Sequence, residues 1–394
     1  MTDTPPAVAL THDIAPARLP ARGLHVVMTA NTAWNIWNFR RALVGALLED
    51  GHRVTILSPE DDSVGQLRGL GAGFRPISIS AKGLNPAEGP GLFRAYRAEW
   101  HALAPDCVLG FTIKPNLFGA MAARAAGVPF IPNVTGLGTA FLTGGVLQFA
   151  AERLYSHAFR KLPVVFFQNA DDRDLFIARK LAGAGQARVL PGSGVDTAHF
   201  MPAPLPEGPV VFLMISRLIG DKGVREYAHA ARILRAERSD AEFRLLGALG
   251  AENRSAIARH ELEDWQREGI ITYLGATDDV RPAIADAHCV VLPSYREGAP
   301  RTLIEAAAMA RPLIASDVPG CRAVVDHERT GFLCAARDGN ALADACHAFL
   351  ALPQLGRQAM GAAARAKIVT EYDQERVIAA YRDALSEITT PDDA

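Results

Sequence analysis

The clearest structural pattern in the chain is Cys289-Val-Val-Leu-Pro-Ser-Tyr-Arg-Glu297-Gly-Ala-Pro-Arg-Thr-Leu-Ile-Glu305-Ala-Ala-Ala-Met309. Its first four residues form an unbroken apolar run, which is typical of a strand buried in a parallel sheet. A turn with Glu297 and Gly298 follows, and Pro300 then stands where a helix favours its first residue. The pattern therefore predicts that Glu297 lies on a loop and Glu305 on a helix.

The start of this helix suits a nucleotide sugar. The amides of its first turn, on Arg301, Thr302 and Leu303, are expected to lack partners and to point off the carboxyl edge of the sheet. Such amides bind a diphosphate, while the carboxylates of Glu297 and Glu305 accept hydrogen bonds from ribose or sugar hydroxyls. A surface loop with two solvated glutamates has the same spacing, so spacing alone leaves both interpretations open.

Several motifs in order resemble one family. Glu297 and Glu305 resemble the paired glutamates of the retaining GT-B glycosyltransferases of family 4, and Arg311–Val325 and Thr330–Leu333 match that family's usual continuation. The resemblance extends over nearly the whole chain from about Gly23. It implies an α/β protein of two Rossmann-like, doubly wound domains facing across a cleft, with a C-terminal helix that crosses back to the first domain.

The composition limits the class of protein. A length of 394 residues indicates about two domains, and apolar and charged fractions of 49% and 21% are those of a soluble globular protein. The net charge of −2 excludes a generally basic nucleic-acid binder. Basic residues are in excess over residues 1–198, which could face anionic lipid, although scattered solvated arginines explain this modest excess equally well.

The cysteines and the N-terminus suggest a cytoplasmic protein. The five cysteines are scattered without a Cys-x-x-Cys pair, as expected for reduced thiols in a core. Residues 1–22 contain four prolines and no basic start followed by an apolar stretch, so a disordered leader is expected and not a signal peptide. No apolar segment reaches the roughly 20 residues of a membrane span.

Apolar runs that alternate with helical patterns divide the rest of the chain. They predict one doubly wound domain over residues 23–198 and a second over residues 199–370, with the crossover helix and a tail over residues 371–394. Pro191-Gly-Ser-Gly-Val-Asp196 and the four prolines of residues 202–209 mark the boundary. The resemblance implies that the first domain binds the acceptor and the second the nucleotide sugar.

Two segments of the first domain are expected to meet the ligand at the carboxyl edge of the sheet. Residues 30–41 follow the first strand, with a helix predicted from Phe39, and Asn35 there offers hydrogen bonds without charge. Turn chemistry with a packed Trp pair is the alternative. Thr112 and Lys114 precede a second helix start, where a phosphate would bind; a lysine that only reaches past the helix towards solvent is the alternative.

Both segments resemble a subgroup of the family that acts in bacterial surface-polysaccharide assembly. That subgroup has a similar Asn-Phe-Arg and a similar Thr-Ile-Lys-Pro-Asn, and it implies a polyprenyl-diphosphate-linked saccharide as acceptor. This chain departs from the wider family because it lacks a Gly-rich first loop and has no histidine between His101 and His157. Either Thr112 and Lys114 do work related to that of the family's active-site histidine, or the subgroup manages without it.

A glycine-rich, uncharged segment, Asn133–Gly145, includes Gly136 and precedes an amphipathic helix with Arg153, Arg160 and Lys161. The apolar residues beside these cations could rest on the cytoplasmic face of the inner membrane around a lipid-linked acceptor. The alternative is an interdomain or acceptor-groove loop that the fold covers, with Gly136 near the acceptor in that case too.

The second domain supplies two cations. Arg217 and Lys222 follow its first predicted strand and precede a helix, where a forked guanidinium and a compact ammonium suit a diphosphate. An exposed basic loop is the alternative. The resemblance implies that both grip the donor diphosphate, that Glu297 orients the transferred sugar and that Glu305 holds the ribose.

No metal or other cofactor is expected. Asn169-Ala-Asp-Asp-Arg-Asp174 contains the Asp-x-Asp that holds metal in a different glycosyltransferase fold, but here it precedes an apolar helical run and is better explained as a helix cap. No other cluster has metal-ligand spacing.

The expected activity is that of a retaining hexosyltransferase. It would move a hexose or N-acetylhexosamine from a nucleotide-diphosphate sugar, with UDP as the expected nucleotide, to a polyprenyl-diphosphate-linked saccharide. The alternatives are the same chemistry on a soluble glucan or small metabolite, and a sugar-nucleotide binding protein without turnover.

Overall fold

The computed structural model describes residues 23–80, 88–136, 145–237, 240–250, 253 and 255–389. The expected leader, most of the glycine-rich segment (residues 137–144) and the end of the tail lie outside the described residues. The described chain forms two α/β domains, each built on a parallel sheet.

The first domain has a seven-stranded sheet in the order β3-β2-β1-β4-β5-β6-β7. Its strands are β1 (His25–Thr29), β2 (Arg53–Ser58), β3 (Gly73–Pro76), β4 (Cys107–Phe111), β5 (Phe130–Val134), β6 (Val165–Phe167) and β7 (Ala187–Val189). β1 pairs with β2 and with β4, so the order of strands reverses beside β1. Ligands of doubly wound sheets bind at the carboxyl edge near such a point.

Helices cover both faces of this sheet. They are α1 (Ala33–Glu49), α2 (Val64–Gly69), α3 (Gly89–Leu103), α4 (Ala120–Ala126), α5 (Gly145–Phe159) and α6 (Ala170–Ala178), with a π-helical turn at Pro115–Gly119. The prediction that α1 starts at Phe39 is wrong. Thr32 caps the helix by accepting the Asn35 amide at 3.1 Å, and Asp61 accepts the Trp34 amide at 2.9 Å. Asn35 therefore lies on the first helical turn.

The second domain has a six-stranded sheet in the order β10-β9-β8-β11-β12-β13. Its strands are β8 (Val211–Ile215), β9 (Glu242–Leu246), β10 (Thr272–Tyr273), β11 (Cys289–Leu292), β12 (Leu313–Ser316) and β13 (Gly331–Cys334). Its helices are α7 (Val224–Glu237), α8 (Arg259–Arg267), α9 (Arg281–Ala285), α10 (Arg301–Ala308), α11 (Pro319–Val324), α12 (Gly339–Ala351) and α13 (Gln354–Glu371). All four residues of β11 are buried, which explains its continuous apolar sequence.

The last helix, α14 (Gln374–Thr389), belongs to the first domain's core. Its inward side chains pack with those of β1, β4 and α1; they are Val377, Ile378, Tyr381, Ala384 and Leu385. The chain crosses between domains twice at one place, because the Val195 amide donates to Tyr372 O at 2.9 Å and the Gln374 amide to Val195 O at 3.0 Å. The expected crossover to the first domain is thus confirmed.

Two further features of the described residues bear on the expected class. All five cysteines are buried free thiols. None of the described helices is both long enough and apolar enough to span a bilayer.

Candidate active site

Two loops of the second domain are joined at the carboxyl edge of its sheet, because β8 and β11 are neighbours there. The Tyr295 amide and the Ser294 hydroxyl donate to Asp221 O at 2.9 and 3.2 Å. Gly223, at a φ of +77°, lies so close to Pro293 that a Cβ would overlap the proline carbonyl. The turn that holds Lys222 is therefore fixed against the loop that holds Glu297.

Lys222 and Glu297 form an ion pair at this junction, with side chains only 20% and 12% exposed. A Cβ on Gly320, near the start of α11, would lie 2.5 Å from Glu297 O, so α11 closes the far side of the loop. An ammonium group has three donors, and Glu297 takes one of them. The pair is thus prearranged at the edge of the sheet with donors left for a ligand.

The start of α10 lies beside the same junction. The sequence predicts Pro300 as the first residue of the helix, and this prediction is wrong. Pro300 is the residue before the helix, because its backbone is extended (ψ 104°). Its carbonyl accepts the Leu303 amide at 3.0 Å, so the prediction of a free amide on Leu303 is wrong. The amides of Arg301 and Thr302 have no recorded acceptor within the described chain.

Arg217 is close to this helix start. The Thr302 hydroxyl donates to Ile215 O at 3.2 Å, which ties the first turn of α10 to the end of β8, two residues before Arg217. Arg217 is exposed, and no ion pair involves it among the residues that the structure describes. The structure therefore places Arg217, Lys222, Glu297 and the first amides of α10 along one edge of the second sheet, on the neighbouring loops after β8 and β11.

Glu305 is buried behind this edge and paired with Arg301. Burial raises the pKa of the Glu305 carboxyl, and the charge of Arg301 opposes that shift. The Arg301 guanidinium also donates to Asn38 O and lies 5.2 Å from the centroid of the Phe39 ring. Arg301 thus links Glu305 to helix α1 of the first domain, a contact that the sequence did not indicate.

Lys114 and Thr112 are held by contacts within the first domain. The Lys114 ammonium donates to Ser80 O at 2.8 Å and pairs with Glu88 at 2.9 Å. Thr112 accepts the Asn31 amide at 3.2 Å and has a φ of +68°, an unusual conformation for a β-branched residue. Lys114 is therefore a partnered cation beside the sheet edge.

Gly136 ends the described part of the glycine-rich segment, with a φ of +151°. The preceding residue, Thr135, lies against the second domain, since a Cβ on Gly298 would overlap Thr135 O. The backbone just before Gly136 and the backbone of Gly298 therefore meet at the interface between the two domains.

The Asp-x-Asp segment is a helix cap. Asn169 accepts the Asp172 amide at 2.8 Å and so starts α6, as the sequence predicted. The same residues also contact the second domain: Asn169 donates to Gly298 O at 2.7 Å, and Asp172 pairs with Arg296. Local sequence carries no signal for these interdomain contacts. No group of three or more His, Cys, Asp or Glu residues that could hold a metal occurs in the described residues.

Family models match both domains. Residues 36–192 match the glycosyl transferase 4-like domain, and residues 209–351 match glycosyl transferases group 1. Together they cover well over half of the chain. The chain therefore belongs to the GT-B glycosyltransferases of family 4 and is a transferase.

Two curated bacterial proteins and one solved structure resemble the chain along much of its length. An N,N'-diacetylbacillosaminyl-diphospho-undecaprenol alpha-1,3-N-acetylgalactosaminyltransferase from Campylobacter jejuni is 26% identical over 79% of this chain and 85% of that protein. A UDP-Gal:alpha-D-GlcNAc-diphosphoundecaprenol alpha-1,3-galactosyltransferase from Escherichia coli is 25% identical over 59% and 63%. A glycosyltransferase structure from Rickettsia africae, 17% identical, has a TM-score of 0.74 and covers 94% of this chain and 99% of that one.

Proposed function

We propose that this glycosyltransferase moves a hexose or N-acetylhexosamine from a UDP-sugar to a polyprenyl-diphosphate-linked saccharide in surface-polysaccharide assembly. The observation that supports the proposal is the Lys222–Glu297 pair at the carboxyl edge of the second sheet, beside Arg217 and the first turn of α10. The names of the two curated relatives support the acceptor class, and the name of the Escherichia coli relative supports UDP.

The arrangement suits stabilisation of a leaving diphosphate. Negative charge builds on the diphosphate as its bond to the anomeric carbon breaks, and in this proposal Arg217, Lys222 and the first amides of α10 stabilise that charge. Loss of one such donor typically costs about 3 to 4 kcal/mol of transition-state stabilisation. In the proposed mechanism Glu297, held by Lys222, orients the sugar and Glu305 accepts a ribose hydroxyl.

We further propose that the anomeric configuration is retained. The acceptor oxygen bonds to the anomeric carbon on the face from which the diphosphate departs, and the diphosphate takes the acceptor proton. A double displacement uses a carboxylate as the nucleophile, whereas in this proposal Glu297, held by Lys222, orients the sugar and Glu305, held by Arg301, binds the ribose. Because these cations supply the charge stabilisation, no metal is required in the proposed reaction.

The test begins with donor hydrolysis. Purified protein is offered UDP- and GDP-sugars without acceptor, then with a polyprenyl-diphosphate-linked saccharide, in buffer with and without EDTA. We expect slow hydrolysis of a UDP-sugar, fast transfer to the lipid-linked acceptor, and rates that EDTA does not change. NMR of the product gives the anomeric configuration. Transfer only to soluble glucans, or binding without turnover, would contradict the proposal.

We also propose that helix α5 rests on the cytoplasmic surface of the inner membrane. Among the described residues, this helix exposes Phe149 (64% exposed), Arg153 and His157, and the two basic residues that follow it, Arg160 and Lys161, are exposed as well. Phe149, Arg153 and His157 are spaced by four residues and so lie on one face. Such a face suits anionic lipid.

Flotation with liposomes tests the membrane contact. Wild type should float with anionic vesicles and not with neutral ones, and Arg153→Glu combined with Arg160→Glu should stay at the bottom of the gradient. The matched control is Arg232→Glu on α7 of the second domain, which should float like wild type. Recovery of wild type from the soluble fraction with both kinds of vesicle would contradict the contact.

A further inference from the structure

Both chain neighbours of Glu297 are held by the first domain. The Arg296 guanidinium pairs with the Asp172 carboxylate, and Gly298 O accepts a hydrogen bond from the Asn169 side-chain amide at 2.7 Å. Asn169 and Asp172 lie together at the start of α6. One helix start in the first domain therefore contacts the Glu297 loop on both sides of Glu297.

These contacts are buried and leave little freedom of movement. The Asp172 side chain is 1% exposed and that of Arg296 22%. Asn169 accepts the Asp172 amide at 2.8 Å and donates to the Asp172 carboxylate at 3.2 Å, so its amide group is oriented by the helix it caps. Gly298 also meets Thr135 and Gln168 so closely that no Cβ would fit there. A buried, connected network of this kind permits few alternative geometries.

An adjacent pair provides a contrast. Asp171 pairs with Arg322 across the same interface at 3.0 Å, but the two side chains are 49% and 50% exposed. Arg322 belongs to α11, and within the described part of the chain neither side chain of this pair forms a hydrogen bond or ion pair with Arg296, Glu297 or Gly298. Two neighbouring aspartates on one helix thus reach the second domain, and only Asp172 reaches the Glu297 loop.

We infer that Asn169 and Asp172 are positioning residues that set Glu297 for transfer from the opposite domain. The inference rests on the proposed role of Glu297 in orienting the sugar. Lys222 fixes the Glu297 carboxylate from within the second domain, whereas Asn169 and Asp172 fix the backbone that carries it. The loop that carries Glu297 therefore has its full set of contacts only when the two domains touch. Misplacement of a reacting group by about 1 Å can lower a rate by roughly 10²-fold.

The experiment removes each contact without removing the helix cap. Arg296→Met breaks the ion pair from the second domain, and Asn169→Ser keeps a capping oxygen but loses the donor to Gly298. We expect each change to lower kcat roughly 10- to 100-fold, while the donor KM stays within about twofold because the diphosphate contacts are intact. Arg296→Lys should restore part of the kcat. Asp171→Asn is the matched control and should keep a wild-type kcat.

A double variant separates positioning from general destabilisation. If Arg296 acts through Glu297, then adding Arg296→Met to Glu297→Gln should change kcat by less than about twofold, because coupled residues are not additive. An equal loss in both backgrounds would overturn the inference, as would Arg296→Met and Asn169→Ser variants that match Asp171→Asn while Glu297→Gln is inactive. Full activity of Glu297→Gln would overturn the proposed function itself.

Discussion

The ion pairs of this protein differ in burial, and an ion pair's contribution to the free energy of unfolding depends on how far it is buried. Lys222 and Glu297 are mostly covered and lie at the edge of the second sheet, whereas Arg225, three residues after Lys222, pairs with Glu261 of α8, and their side chains are 47% and 26% exposed. Exposed pairs typically contribute about 0 to 1 kcal/mol. Lys222 and Arg225, two cations of the same segment, should therefore differ in their effects, and most strongly in their effect on activity because Lys222 belongs to the candidate site.

The first prediction compares these two cations. Lys222→Ala should lower the rate of sugar transfer by two to three orders of magnitude, about 3 to 4 kcal/mol, because a donor to the leaving diphosphate is lost. Arg225→Ala should leave the rate within about twofold of wild type. Initial rates with saturating acceptor, alongside circular dichroism, check both variants. Similar rates for the two variants would remove Lys222 from the proposed site.

At the scale of residues, the sequence identified groups whose position follows from the strand they end. Arg217, Lys222 and Glu297 each follow a buried apolar run, and the carboxyl ends of parallel strands meet at one edge. The partners of Arg301 and Lys114 could not be predicted in this way. Asn38 and Glu88, which they contact, are distant in the chain, and their proximity depends on how the elements pack.

At the start of the first strand of each domain, a backbone amide donates a hydrogen bond to a buried histidine. The Leu24 amide, before β1, donates to Nδ1 of His52 at 3.1 Å, and the Val211 amide of β8 donates to Nδ1 of His288 at 3.1 Å. An Nδ1 that accepts a hydrogen bond carries no proton. Burial lowers the pKa of both rings below the usual 6.5, and Arg357 adds to the shift at His288. Each domain therefore has a neutral histidine beside the start of its first strand, although His52 precedes β2 and His288 precedes β11, which lie on opposite sides of that strand.

The second prediction is a loss of stability on acidification. The unfolded chain takes up protons on these rings at a higher pH than the folded chain does. The contribution of the neutral rings to the free energy of unfolding is therefore full above about pH 6.5 and is lost as the pH falls through the pKa values of the folded state. The melting temperature should fall between pH 7.5 and 5.5. The His52→Gln, His288→Gln double variant should show a shallower fall, and His101→Gln, an exposed control, should follow wild type. Equal slopes in all three proteins would contradict this assignment.

At the scale of elements, the sequence predicted the buried strands well and the helix starts less well. In a protein with parallel sheets, a continuous apolar run such as Cys289–Leu292 predicts a buried strand. Helix starts depend on caps that compete: α1 begins at Ala33 because Thr32 and Asp61 both bind its first amides. Asp61 lies on a different loop, so the pattern within residues 30–41 alone could not predict where α1 begins.

The last helix is held to the first domain by contacts between residues that are far apart in the chain. Asn133, at the end of β5, donates its side-chain amide to the Tyr381 hydroxyl of α14 at 3.0 Å, and both residues are fully buried. Burial raises the pKa of Tyr381 to about 12, so this hydroxyl stays protonated. Arg188 and Glu387 join the same helix to β7 at an exposed position. The alternation of strands and helices predicted two domains, but it could not predict these long-range contacts.

The third prediction compares these two links to α14. Tyr381→Phe leaves the buried Asn133 amide without an acceptor and should lower the free energy of unfolding by about 1 to 3 kcal/mol. Arg188→Ala removes an exposed pair and should lower it by no more than about 1 kcal/mol. Denaturant titrations monitored by fluorescence give both values. A larger loss for Arg188→Ala than for Tyr381→Phe would contradict the assignment.

The position of α14 also has a consequence for synthesis of the chain on the ribosome. Domains generally fold as units, with the N-terminal one first during translation. Here the core of the N-terminal domain includes Val377, Tyr381 and Leu385, which are translated only after the whole second domain. The first domain therefore waits, with an apolar face uncovered, while the second domain is made, and newly made chains that are cut short should be recognised by chaperones through that face.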